Sequence, residues 1–84
     1  MKKIDRSLLA RLKTRPQDNV RLIVRVAGDV PQAAARLEGL GATTLQTFSL
    51  TKSVAISCSA RTALTVAKQP WVLGMEEDRK VSMQ

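Results

Sequence analysis

The chain has 84 residues, 44% of them hydrophobic, with fourteen Lys and Arg against seven Asp and Glu for a net charge of +7. That length supports one domain with a small core, and the hydrophobic fraction argues for a folded globule over a disordered chain. The lack of histidine excludes His-based acid–base catalysis and His-containing zinc sites, and a single cysteine, Cys58, excludes an internal disulfide.

Residues 1–19 are set apart as an N-terminal helical extension. Asp5 can cap a helix over residues 6–13, with Leu8, Leu9 and Leu12 on one face, and Pro16 ends it. Charges are threaded through this stretch, so it holds no apolar run of signal-peptide length, and no segment of the chain is long and apolar enough to cross a membrane. A soluble, cytoplasmic protein is expected, with export by another route left open. The basic residues run from Lys2 to Lys80 without a stretch longer than two, a spacing that suits a solvated surface.

The clearest strand is VRLIVRVA, residues 20–27. Val20, Leu22, Val24 and Val26 alternate toward a core, and Arg21, Ile23 and Arg25 occupy the other face. Asp29 caps the next helix, Pro31 sits in its first turn, Ala34, Leu37 and Leu40 form its inner face, and Gly41 terminates it. A second strand follows over residues 43–49. Leu50-Thr51-Lys52 turns the chain into a third, residues 53–59, with Val54, Ile56 and Cys58 inward and Ser53, Ala55 and Ser57 outward. Ser59 caps a helix over residues 60–68 that turns Ala63, Leu64 and Ala67 inward, Pro70 limits it, and residues 72–76 make the last strand. Cys58 reads as a buried structural thiol, and Trp71 and Met75 as packing residues.

The order β-α-β-β-α-β predicts an α+β, ferredoxin-like fold: a four-stranded antiparallel sheet with two helices on one face, preceded by a short helix. The other face is left open, and its occupants on the two central strands include Arg21, Ile23, Arg25, Ala55 and Ser57. Small residues there leave room for a partner to approach. No Gly-rich phosphate loop and no nucleophile–base pairing is visible, so neither an enzyme activity nor a cofactor or metal is expected. The central strands carry no aromatic residue on which a base would stack, which argues against a nucleic-acid partner despite the charge.

The segment from Val20 onward resembles the propeptides of subtilisin-like serine proteases and the free-standing inhibitors related to them. The resemblance lies in the opening strand, Gly41-Ala42 before a strand holding Phe48, and SVAISCSARTALTVAKQPWVLGMEED, with Pro70, Val72, Met75, Glu76 and Asp78 at the family's positions. It covers a domain of residues 20–78 and a tail of residues 79–84. Residues 1–19 have no counterpart in the pattern, Lys52 stands where the turn is often apolar or rich in Gly and Asn, and no protease domain follows. The initiating Met without a signal peptide favours a stand-alone protein over an excised fragment.

The resemblance implies a mode of action. The open sheet face, including Ile23, Ala55 and Ser57, docks on two surface helices of the protease, and Glu76 and Asp78 cap their N-termini, where unpaired N–H donors and the helix dipole favour a carboxylate. Glu77, alternating with them, points elsewhere. The tail Val81, Ser82, Met83, Gln84 enters the substrate groove as an added strand, with Gln84 in the primary pocket and Val81 in another. The implied role is inhibitor, trans-acting folding chaperone, or both, of a protein that is a monomer when free. Two alternatives stay open: a small basic domain contacting phosphates through Arg21, Arg25, Arg61 and Lys68, and a regulatory module that dimerises through the open face.

Overall fold

A computed structural model describes residue 4 and residues 6–77. The elements run α1 (Arg6–Thr14), β1 (Asn19–Val26), α2 (Val30–Gly39), β2 (Thr43–Phe48), β3 (Ser53–Ser59), α3 (Ala60–Ala67) and β4 (Val72–Glu77). The strands form one antiparallel sheet in the order β2-β3-β1-β4. β1 and β2 are therefore parallel with β3 between them, and β3 and β4 are parallel with β1 between them. These are two interleaved split βαβ units, the α+β arrangement expected from the element order.

Local signals fix the ends of α2 and α3, whereas the Asp5 cap expected for α1 lies outside the described residues. Asp29 caps α2 by accepting from the Gln32 N–H at 3.2 Å, and Ser59 caps α3 by accepting from the Thr62 N–H at the same distance. After α2, Gly41 has φ +108°, its N–H donates to the Glu38 carbonyl, and the Ala42 N–H donates to the Leu37 carbonyl, both at 3.1 Å. This pair of bonds is the Schellman motif, which needs a residue at ease in positive φ. The turn between β2 and β3 meets the same demand with Lys52 at φ 54°. A non-glycine residue there costs about 1 kcal/mol. Lys52→Gly is expected to raise stability by about 0.5 kcal/mol, the strain relieved exceeding the chain entropy added to the unfolded state. A rise in the urea midpoint at constant m measures it.

The core lies between the sheet and the helices. Leu22, Val24 and Val26 of β1, Val54, Ile56 and Cys58 of β3, and Val72 and Met75 of β4 are all buried in it. The inner faces of α2 and α3 differ from expectation. α2 buries Val30, Ala33 and Leu37, and α3 buries Ala60, Ala63 and Val66, while Ala34, Leu40, Leu64 and Ala67 lie at the margin, half-buried. Ala33 and Ala63 occupy the centres of these buried faces, and Leu40 and Leu64 pack at their edges.

α1 shares this core. Leu8 and Leu12 belong to the same buried cluster as the sheet residues, and α1 packs on α3. The loop after α1 is tied to α3 by its backbone. The carbonyls of Asp18 and Pro16 accept from the Ala60 and Arg61 N–H groups at 2.8 and 2.9 Å, satisfying donors that the first turn of a helix leaves unpaired. Ile4 makes a parallel bridge to Met75 on β4. The described part of residues 1–19 is thus integral to the fold, which the sequence, setting it apart as an extension, did not reveal. Among the described residues no helix is long and apolar enough to cross a membrane.

Candidate functional site

The face of the sheet turned away from α2 and α3 is laid out by strand register. Residues directly opposite one another share a face. One row across it reads Phe48, Ser53, Arg25, Gly74, the next Gln46, Ala55, Ile23, Glu76, and the third Thr43, Ser57, Arg21. The small side chains of β3 form a trough between the longer ones of β1 and β2. Ala55 is 6% exposed and Ser53 4%, so the floor of this face is less accessible than outward-pointing residues were expected to be. The neighbouring strands cover it. Ile23 and Ser57 are half-buried, and Arg21, Arg25 and Glu76 are exposed.

Two hydroxyls of the trough floor are hydrogen-bonded within the chain. The Ser53 hydroxyl donates to the Thr51 carbonyl at 3.2 Å, and the Asn19 side-chain amide donates to the Ser57 hydroxyl at 3.1 Å. At one end of the face Ile23, Arg25, Thr51, Ser53 and Glu76 line a shallow depression of about 480 Å³. An apolar residue, a guanidinium, a carboxylate and hydroxyls thus meet on a concave surface, a combination suited to another protein's surface. Four of these residues stand on strands β1, β3 and β4, and Thr51 lies in the turn before β3.

The predicted site residues divide by position. Ile23, Ala55, Ser57 and Glu76 fall on this one face. Asp78 and Val81, Ser82, Met83 and Gln84 lie outside the described residues. Glu77 alternates to the other side of β4, opposite Leu22, as expected. There its carboxylate takes a bidentate pair from Arg11 of α1, Nη1 to Oε1 at 2.6 Å and Nη2 to Oε2 at 3.0 Å. That contact and the Glu77 charge together raise the Arg11 pKa.

Sequence reasoning missed Phe48 and Gln46 as the second wall of the trough. Strict alternation would put Gln46 and Phe48 on the same face as Thr44. A bulge between Thr44 and Gln46 makes Leu45 an extra residue and reverses the phase, so Thr44 lies opposite Ile56 on the core side and Gln46 opposite Ala55 on the open side. Nothing in TTLQTF announces that bulge.

The four cations of the phosphate-binding alternative do not share a surface. Arg21 and Arg25 stand on the open face, whereas Arg61 and Lys68 belong to α3 and its C-cap, on the opposite side of the sheet. Cys58 is buried, and desolvation pushes its thiol up to about 11, so it stays protonated and unreactive near neutral pH. Trp71 is half-buried against the core, with the Arg36 guanidinium 5.7 Å from its ring centre. No known family model matches the chain, and a search of curated proteins finds no match.

Proposed function

We propose that this chain binds a subtilisin-like serine protease through the open face of its sheet, as an inhibitor, a trans-acting folding chaperone, or both. The observation that carries this reading is the open face itself. It has a floor of small residues at Ser53, Ala55 and Ser57, a half-buried Ile23 beside them, and Glu76 exposed on the edge strand in the same row as Ile23 and Ala55. A helix can settle on a floor without large side chains, and a carboxylate at the rim can meet its N-terminus, where orphan N–H groups and the dipole favour negative charge. The resemblance of residues 20–78 to subtilisin propeptides supplies the identity of the partner. Inhibition and chaperoning follow from one contact, because whatever binds only the folded protease also stabilises it.

Titration of a subtilisin with the protein, followed by hydrolysis of a chromogenic peptide, tests the proposal. Hydrolysis is expected to fall with added protein, and to fall far less when residues 81–84 are removed, with the circular dichroism spectrum unchanged. Full hydrolysis in the presence of a large molar excess of the intact protein would sink the inhibitory reading.

A further inference from the structure

We infer that α1 is a clamp on the end of β4, and that Arg11, through Glu77, is a positioning residue for Glu76; the partner's identity in this inference rests on the proposed protease reading. β4 is the edge strand beside β1, so no further strand of the sheet flanks its last residues. Two contacts from the N-terminal segment reach it from elsewhere. Ile4 bridges Met75, and the Arg11 guanidinium grips both oxygens of the Glu77 carboxylate. α1 is itself anchored by Leu8 and Leu12 in the core, so the grip is that of a fixed element and not of a loose arm.

Successive side chains on a strand point to opposite faces. Holding Glu77 on the α1 side therefore fixes the rotation of the strand end and sets Glu76 on the open face, beside Ile23. Arg11 and Glu77 are both partly accessible to solvent, and such pairs add little to global stability. A planar fork on a carboxylate does define direction, however. The role assigned to the pair is orientation, and it gives the N-terminal helix a part in binding although it lies on the other side of the sheet from the partner.

Two measurements on Arg11→Gln test this. The first needs no protease: 15N relaxation order parameters of the Glu76 and Glu77 amides are expected to drop from about 0.85 to below about 0.6, while those of β1 and β3 hold. The charge-swapped double variant Arg11→Glu with Glu77→Arg is expected to restore them. Unchanged order at Glu76 and Glu77 would overturn the clamp. The second is inhibition, expected to weaken roughly five- to tenfold in Arg11→Gln and to recover in the swap. If the parent protein inhibits and Arg11→Gln inhibits equally well, the positioning role is wrong while the protease reading stands. If the parent does not inhibit at all, the protease reading fails, and the order parameters alone decide whether the clamp exists.

Discussion

Leu12→Ala is expected to lower the unfolding free energy by about 3 kcal/mol, a central value for truncating a buried leucine. Leu12 is 1% exposed and sits on α1, in one cluster with residues of the sheet and of α2 and α3. A domain of this length has a stability of roughly 5–10 kcal/mol, so the loss is a large part of the total. It corresponds to a fall of about 15 °C in the thermal midpoint. Were α1 an appendage that only touched the domain, the change would stay within about 0.5 kcal/mol, as for a surface substitution. The loss is placed near the middle of the range and not at its top because a cleft of about 390 Å³ along Leu8, Leu12, Val20 and Ala60 leaves the neighbours room to relax. Urea denaturation with a single transition, read alongside calorimetry, decides between the two outcomes.

Ile23→Lys is expected to weaken inhibition about 100-fold, near 2.7 kcal/mol, because it would place an unpaired charge at the centre of the docked face. Ile23 lies between Ala55 and Glu76 in its row and between the exposed Arg21 and Arg25 along its strand. In the free protein it is half-buried, and a lysine stem can lie along the same surface with its ammonium in water, so the folded state should lose no more than about 1 kcal/mol. The same substitution discriminates the alternatives. A third cation between two arginines would strengthen binding to a phosphate backbone, an effect opposite in sign. Lys68→Glu, on the far side of the sheet, is expected to leave inhibition unchanged. Equal inhibition by Ile23→Lys and the parent would remove the open face as the docking surface, and sedimentation of both would show whether self-association through that face competes.

The legible parts of the chain were those set by short-range rules. β3 runs Ser53–Ser59 as its alternation predicted, and Asp29, Ser59 and Gly41 perform the capping roles their chemistry suggested. The inward sets of β1 and β3 follow from a period of two, which the backbone imposes whatever packs above it. The opposite behaviour of Glu76 and Glu77 comes from the same period. What failed was whatever depended on a neighbour distant in sequence. The faces of α2 and α3 are centred on Ala33 and Ala63 because close approach to the sheet selects small residues there. Ala55 was expected to stand open, yet side chains of the two adjacent strands cover it, and their register includes a bulge at Leu45.

By itself the sequence determined the element order, the ends of α2 and α3, the inward strand faces and hence the α+β class, because each is fixed by backbone geometry and by residues within a few positions of one another. Only the tertiary structure decided that α1 belongs to the core, that Arg11 meets Glu77 across 66 positions of chain, and that small residues of β3 floor a trough walled by Phe48, Gln46 and Ile23. Those features arise when separate segments compete to bury apolar surface against one another, and the winner is set by packing in three dimensions, which no local pattern encodes.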